Sequence, residues 1–248
     1  MYQKHINIMG KPLRYFFRLA DFTRSTRKLT SIESDLLKKT GSLFDVPFKF
    51  NGYGQFQSIR PKQVISEIQQ MYQMVVAAEV RYVCEIGTYR GGTFYLWCKA
   101  ARDDATLIAL DLPGEDSLKQ PFSPDRIKFY HYFAKSPNQQ LHFIPADSHQ
   151  RSTADYVAAI LGPNKLDFLF IDGDHSHNGV RRDFELYKPL VRPGGMIAFH
   201  DILPRANLPE IEVYKLWGEI KPVYRHQEIV AQDGSHANLI GIGIIWLE

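Results

Sequence analysis

The densest group of polar side chains lies directly after an apolar run in the middle of the chain. It reads Asp172-Gly173-Asp174-His175-Ser176-His177. Two carboxylates and two imidazoles at the end of a buried strand can bind a divalent cation, move a proton, or do both. Charged groups are costly to bury, so this concentration predicts a functional or metal-binding site. A polar cap on the following helix is the alternative.

A second polar pair, His200-Asp201, ends another apolar run, which begins after the turn Arg192-Pro193-Gly194-Gly195. Continuous apolar runs are typical of parallel strands that are covered on both faces. Parallel strands bring their carboxyl ends to one edge of a sheet, where ligands bind. We therefore expect His200 and Asp201 to face the same site as Asp172.

A glycine-containing loop, EIGTYRGGT from Glu85 to Thr93, joins an apolar run to a helical pattern. Glycine allows a sharp turn and a close approach to a ligand, and free amide groups at a helix N-terminus can face an anion. The spacing differs from the G-x-G-x-x-G pattern of dinucleotide sites. The loop predicts either a ligand-binding turn or a tight structural turn.

Two further acids follow apolar runs and would lie at the same edge. Asp111 stands 24 residues after Gly87, where a carboxylate can accept the hydroxyl groups of a ribose. Asp147 follows the run LHFIP and would meet an adenine amino group or lie in an exposed loop. Together with the glycine loop, Asp111 predicts a ligand of the adenosine type.

These residues require a sheet with helices between its strands. Apolar runs predict strands at 81–86, 106–110, 141–145, 166–171 and 196–199. Helical spacing predicts helices at 61–78, starting with Pro61, and at 93–101, 154–161, 179–190 and 209–219. Two final strands, at 223–230 and 238–246, flank a turn at 232–236 and predict an antiparallel hairpin. The pattern is that of an α/β fold with a mostly parallel sheet.

The N-terminal part is basic. Residues 1–40 hold nine Lys or Arg and three acids, a net charge of +6, whereas the whole chain carries +3. A short helix is expected at 12–22 and an ordered loop at 40–60. We interpret residues 1–60 as a lid or dimer arm on a domain formed by residues 61–248. The charge favours an anionic substrate, a peripheral membrane contact through this helix, or simply a solvated face.

Composition narrows the class of protein. With 44% hydrophobic and 23% charged residues, the chain resembles a globular domain, and no apolar run is long enough to cross a membrane, so we expect it in the cytoplasm. Cys84 and Cys98 are expected to be buried free thiols. Basic and aromatic residues do not interleave as in a surface that tracks nucleic acid.

The loop EIGTYRGGT, the segment LIALD, the run FLFIDGDHSHNGVRRDFELYKPL and the turn RPGGMIAFHD are similar, in order and spacing, to class I S-adenosylmethionine-dependent methyltransferases. The resemblance covers residues 60–248. It is strongest to the branch with small-molecule and sugar O-methyltransferases and cephalosporin-hydroxylase-like proteins. It implies a Rossmann-like, doubly wound, seven-stranded sheet ending in an antiparallel hairpin, preceded here by a helical N-terminal extension.

The resemblance also implies roles for individual residues. The candidate donor-binding residues are Glu85, Gly87, Thr88, Tyr89, Gly91, Thr93, Asp111, Asp147, Ser148 and Asp172. Asp172, His200 and Asp201 match the metal-binding positions of metal-dependent members, and His200 replaces the usual acid or amide, which leaves room for Mn²⁺ beside Mg²⁺. Asp174 matches the general base of sugar-modifying members, and His175 is the competing base. The implied partners are a small-molecule acceptor, sugar-containing or anionic, and a second copy of the chain.

Three other functions use the same elements. A nicotinamide-dependent oxidoreductase would need the dinucleotide glycine pattern that is missing here. A metal-dependent phosphohydrolase would use Asp172, Asp174, His175 and His177 together. A non-catalytic nucleoside-binding protein would keep the fold and bind the donor without transferring a group.

Overall fold

A computed structural model of the chain describes residues 11–113, 122–231 and 240–248, and side chains from residue 16 onward. Its sheet contains β1 Tyr82–Ile86, β2 Thr106–Asp111, β3 Gln140–Pro145, β4 Leu166–Ile171, β5 Val191–His200, β6 Arg225–Ile229 and β7 Ile242–Trp246. The strand order is β3-β2-β1-β4-β5-β7-β6. Strands β1 to β5 are parallel, and β7 runs antiparallel to both β5 and β6. The predicted seven-stranded fold with its final hairpin is confirmed.

Helices cover both faces of this sheet. They are α1 Lys11–Thr40, α2 Val46–Lys49, α3 Ile65–Ala77, α4 Gly92–Ala100, α5 Pro124–Tyr130, α6 Arg151–Leu161, α7 His177–Tyr187 and α8 Val213–Ile220, with single 3₁₀ turns at Gly54–Phe56, His131–Phe133 and Lys188–Leu190. One hydrophobic cluster packs α1, α3, α4 and α5 on one face, and a second packs α6, α7 and α8 on the other. The sheet is therefore doubly wound, as expected.

The apolar runs form strands because their side chains alternate between two buried faces. Phe168 and Phe170 of β4 belong to the first cluster, whereas Leu169 and Ile171 belong to the second. Cys84, in the middle of β1, is a buried free thiol, as is Cys98 in α4. Burial on both faces explains why these strands show no polar alternation in the sequence.

The first helix is much longer than the sequence pattern predicted. It continues to Thr40 because Leu29, Ile32 and Leu36, spaced by three and four residues, extend the apolar face that packs into the first cluster. Its Glu33 accepts a hydrogen bond from the hydroxyl of Tyr95 at 2.7 Å and pairs with Lys99 Nζ at 2.8 Å. These contacts fix the second half of α1 against α4. The interpretation of residues 1–60 as a lid or dimer arm stays a prediction.

Helix α3 begins four residues later than predicted, at Ile65 instead of Pro61. The segment before it lies across the start of α4, so closely that a Cβ on Gly92 would come within 2.1 Å of the carbonyl oxygen of Ile59. Val64, the residue before α3, has an extended backbone. This packing overrides the Pro signal and leaves residues 61–63 free to line the site described below.

The final hairpin is held to α3 by a buried carboxylate. Glu67 is fully buried and accepts hydrogen bonds from the amide groups of Ala231 at 2.9 Å and Gly241 at 3.1 Å. The turn predicted at 232–236 lies outside the described residues. Within the described residues, no helix has the length and apolarity needed to cross a bilayer.

Candidate active site

A cavity of about 770 Å³ opens at the carboxyl ends of β1 to β5, where open α/β sheets bind ligands. Five loops and the segment before α3 line it. Of the candidate residues, the lining includes Gly87, Thr88, Tyr89, Thr93, Asp111, Asp147, Ser148, Asp172, Asp174, His175, His200 and Asp201. Glu85 and Gly91 are not among the lining residues. The sheet therefore gathers most of the candidates around one space.

The β1 loop reaches this cavity because Gly87 has no side chain. Its φ is +88°, and a Cβ there would lie 2.0 Å from the carbonyl oxygen of Asp172. Gly91, at φ +83°, starts α4, and a Cβ on it would meet the ring of Tyr130 at 2.9 Å. Gly87 thus allows the loops after β1 and β4 to touch, whereas Gly91 serves the turn into the helix.

Asp111 holds the same loop from the end of β2. Its Oδ2 accepts hydrogen bonds from the amide groups of Thr88 at 2.8 Å and Tyr89 at 2.7 Å, and its Oδ1 accepts one from Leu112 at 2.8 Å. Burial raises the pKa of Asp111, and these three donors oppose that rise. A carboxylate offers about four acceptor positions, so Oδ1, which accepts one hydrogen bond, can receive another from a hydroxyl group of a ligand in the cavity.

Glu85 lies beneath the loop and is completely buried. Trp97 Nε1 donates a hydrogen bond to its Oε1 at 3.0 Å. Burial raises the pKa of Glu85 to about 8, so the side chain is mainly a neutral acid at pH 7. Its observed hydrogen-bond partner, Trp97, belongs to α4. Contact with a donor molecule stays a prediction.

Asp172 is the centre of the polar group at the other end of the cavity. Its Oδ1 lies 3.2 Å from His175 Nε2 and 3.0 Å from His200 Nδ1, and its Oδ2 accepts a hydrogen bond from Gln63 Nε2 at 2.5 Å. Burial alone would raise the pKa of Asp172, but the two imidazoles hold it well below its usual range. The carboxylate is therefore charged.

Asp201 faces the same two imidazoles. Its Oδ2 lies 3.1 Å from His175 Nε2 and 3.4 Å from His200 Nδ1, while Arg205 donates to its Oδ1 at 2.5 Å. Its φ of 65° is uncommon for a residue other than glycine, and such strained conformations concentrate at functional sites. Burial would lower the pKa of His200, yet Asp172 and Asp201 raise it to about 10.

These four side chains, Asp172, His175, His200 and Asp201, form what we call the Asp172 cluster. Each offers one ligand atom, and the four atoms lie within 4.8 Å of one another. His200 Nε2 is buried without a hydrogen-bond partner. Carboxylates mixed with imidazoles suit Mn²⁺, and imidazoles must lose their protons to bind a metal. The residues therefore fit a divalent cation, with His175 as a fourth candidate ligand that sequence reasoning had assigned to proton transfer.

Asp174 and His177 lie apart from this cluster. Asp174 is exposed at the cavity, and its Oδ1 accepts a hydrogen bond from the amide of Ser176 at 2.8 Å. His177 Nε2 lies 2.8 Å from a carboxylate oxygen of Glu219 on α8. It is not among the cavity-lining residues. The four-residue set of a phosphohydrolase is therefore divided between two places.

Comparison with known proteins identifies this part of the chain. Residues 84–202 match the family model described as a methyltransferase domain. The matched segment runs from β1 through the Asp172 cluster and includes the glycine loop and Asp111. This segment is therefore similar to methyltransferase domains.

The described part of the chain shares its fold with solved O-methyltransferases. The O-methyltransferase from Bacillus cereus, solved in complex with SAH, superposes with a TM-score of 0.59 at 14% identity, covering 90% of this chain and 100% of that one. An uncharacterised protein of Acanthamoeba polyphaga mimivirus is 32% identical over 127 residues, which are 50% of this chain and 52% of that protein. One of Sinorhizobium fredii is 27% identical over 153 residues, 60% of this chain and 16% of that protein. The chain thus spans about half or less of these curated relatives.

The cavity receives part of its wall from residues that the sequence analysis did not single out. Lys62 and Gln63 come from the segment before α3, and Arg90 comes from the β1 loop. Lys62 Nζ lies 5.8 Å and Arg90 Cζ 5.2 Å from the ring centre of Tyr89. No spacing rule pointed to Gln63, because its role depends on the late start of α3. Two exposed, positively charged side chains therefore stand among the lining residues at the mouth of the cavity.

Proposed function

We propose that the protein is an S-adenosylmethionine-dependent O-methyltransferase that acts on a small anionic acceptor, with a divalent metal at the Asp172 cluster. One observation carries the proposal: a single cavity in a methyltransferase domain joins the Asp111-anchored glycine loop to a compact group of acids and imidazoles. The Bacillus cereus enzyme of the same fold binds SAH, the product form of this donor.

In this proposal the donor lies along the ends of β1, β2 and β3. Asp111 Oδ1 receives a ribose hydroxyl group while the backbone donors keep the carboxylate in place. Asp147 and Ser148, which line the cavity after β3, meet the adenine. The methionine part then points along the β1 loop toward the Asp172 cluster, where the acceptor must lie for in-line methyl transfer.

Asp172, His200 and Asp201 would hold the metal, with His175 completing the set. When bound, a divalent cation would orient an acceptor hydroxyl and lower its pKa. We assign removal of the hydroxyl proton to Asp174, because it lines the cavity, is exposed to it, and is not paired with the cluster. If no metal is needed, His175 becomes the competing base, since its imidazole stands between Asp172 and Asp201.

The acceptor class follows from the mouth of the cavity. Lys62 and Arg90 place two positive charges 5.8 Å and 5.2 Å from the centre of the exposed ring of Tyr89. Positive charge around a cleft raises the local concentration of anions and speeds their association. A small molecule with a carboxylate or phosphate and a free hydroxyl group, including a sugar acid or sugar phosphate, fits this surface.

Binding of the donor is the first test. Calorimetric titration should show saturable binding of SAH and none of NAD. Asp111→Ala should lower the affinity for SAH at least tenfold. Asp104→Ala, at an exposed site where Asp104 pairs with Arg81 and Arg102, should leave this affinity unchanged. Binding of NAD but not SAH would refute the proposal.

Transfer is the second test. With a hydroxylated anionic acceptor, Asp174→Asn should lower turnover by about 10² or more without weakening SAH. Turnover near that of the wild type would remove Asp174 as the base. Release of phosphate from model esters with metal alone would instead favour the hydrolase.

The N-terminal extension has its own proposal. The first half of α1 exposes Phe17 and Leu19 beside the basic Arg18. These features support a lid, a dimer arm or a contact with an anionic membrane surface. Sedimentation with and without residues 1–20, together with binding to anionic vesicles, distinguishes them.

A further inference from the structure

A buried carboxylate lies behind the cavity wall, outside the groups used above. Asp183 of α7 is fully buried, and neither of its oxygens accepts a hydrogen bond of ordinary geometry. A Cβ on Gly173, which lines the cavity, would lie 3.5 Å from Asp183 Oδ2. Burial raises the pKa of Asp183 to about 6, and the nearby Ser148 and His149 oppose this rise. A buried carboxylate without a hydrogen bond of good geometry is costly and calls for a functional reason.

His149 connects this carboxylate to the cavity. Its ring Nε2 lies 3.6 Å from Asp183 Oδ1 and is itself buried without a hydrogen bond. Its ring Nδ1 lies 4.0 Å from Asp147 Oδ1, and both residues line the cavity after β3. The backbone of His149 is fixed on both sides, because its amide donates to Asp147 at 2.9 Å and its carbonyl accepts from Arg182 at 3.2 Å.

We propose that Asp183 is a positioning residue that orients His149, and that His149 binds the exocyclic amino group of the donor's adenine together with Asp147. This inference rests on the proposed function. A carboxylate behind an imidazole fixes which nitrogen carries the proton and how the ring is turned. With Asp183 accepting from Nε2–H, the unprotonated Nδ1 is an acceptor at the cavity. Nδ1 and Asp147 Oδ1, 4.0 Å apart, can then accept the two hydrogens of one amino group.

The distance of 3.6 Å between His149 Nε2 and Asp183 Oδ1 is long for a hydrogen bond. The proposal requires this distance to shorten when a ligand holds the ring. Without Asp183, the proton can move to Nδ1 of His149. The imidazole N–H would then face the amino group of the adenine, which is also a hydrogen-bond donor. His149 therefore depends on Asp183 for recognition of an amino group, whereas Asp183 has no contact with the ligand itself.

The test uses calorimetry with the full chain and two ligands, SAH and its deaminated analogue S-inosylhomocysteine. The wild type should prefer SAH by at least tenfold, and His149→Ala should lose most of that preference. Asp183→Asn should weaken SAH at least tenfold but should have no further effect in the His149→Ala background, because residues acting as a unit are not additive. His226→Ala, at an exposed histidine of β6, is the control.

A spectroscopic measurement separates positioning from a general structural role. Long-range ¹H–¹⁵N correlation should show His149 protonated at Nε2 in the wild type and a changed tautomer in Asp183→Asn. An unchanged tautomer, or a further loss of SAH affinity when Asp183→Asn is added to His149→Ala, would overturn the positioning role.

The two proposals fail in different ways. If the wild type does not bind SAH, the proposed function is wrong and this inference with it. If the wild type binds SAH but His149→Ala keeps the full preference over S-inosylhomocysteine, only this inference is wrong. The latter comparison does not require Asp183→Asn to fold.

Discussion

The buried acid beneath the glycine loop makes stability depend on pH in a specific direction. Glu85 is fully buried with its Oε1 accepting from Trp97, and burial raises its pKa from the ordinary 4.5 to about 8. Replacement by glutamine keeps a carbonyl acceptor for Trp97 but removes the charge. The comparison between the wild type and Glu85→Gln therefore isolates the cost of ionising this side chain inside the protein.

The sign follows from which state holds the proton. Between pH 4.5 and about 8 the folded protein keeps the Glu85 proton that the unfolded chain has released, so stability falls as pH rises through this window. Each pH unit costs about 1.4 kcal/mol. The whole window corresponds to about 5 kcal/mol, and the penalty is constant at higher pH.

Urea denaturation of both proteins at several pH values between 5 and 8.5 measures this difference. The free energy of unfolding of Glu85→Gln, relative to that of the wild type, should rise steadily with pH. The rise should be roughly 3 to 5 kcal/mol between the lowest and the highest pH. Glu185→Gln, at an exposed position of α7, should change by less than about 0.5 kcal/mol at every pH. A difference between wild type and Glu85→Gln that does not vary with pH would refute the reasoning.

Three other changes have defined outcomes. Glu67→Gln leaves one of the two hairpin amide groups facing an amide donor, and it should lower the free energy of unfolding in urea by about 1 to 3 kcal/mol. An unchanged midpoint would contradict a stabilising role of Glu67 at the hairpin. Glu33→Gln leaves the buried ammonium of Lys99 without its anion and should cost about 2 to 4 kcal/mol, with faster proteolysis in α1; equal cleavage rates would exclude this anchoring. His200→Ala should weaken Mn²⁺ binding tenfold or more in calorimetry, and unchanged affinity would remove His200 as a ligand.

The sheet and the meeting of its loops could be predicted because both follow from simple rules. Continuous apolar runs identified the five parallel strands, and the neighbouring ends of β4 and β5 do bring Asp172 beside His200 and Asp201. The residues at the ends of the strands were therefore placed correctly without any knowledge of distances. The parallel arrangement places the carboxyl ends of the strands at one edge of the sheet, and the side chains that follow the strands therefore lie close together.

The rest depended on packing that the sequence pattern does not express. Pro61 is a good helix start, yet the close approach of the preceding chain to Gly92 delays α3 and turns Gln63 toward Asp172. His175 was named as the competing base, and the sequence pattern did not indicate that its ring places Nε2 between two carboxylates. Rotamers and helix starts of this kind are chosen by neighbours that are distant in sequence.

Only part of the cavity wall lies in the segment that matches the family model, and this bears on which acceptors the proposed enzyme would bind. The segment 84–202 supplies the glycine loop and the Asp172 cluster, whereas Lys62 and Gln63 lie outside it. Gln63 touches the cluster directly, and four residues further on Glu67 fixes α3 to the end of β6 and the start of β7. The hairpin therefore helps to set the position of this part of the cavity wall, which the proposed acceptor would meet. Proteins that share the matched segment but differ before α3 should keep the donor site and differ in their acceptors.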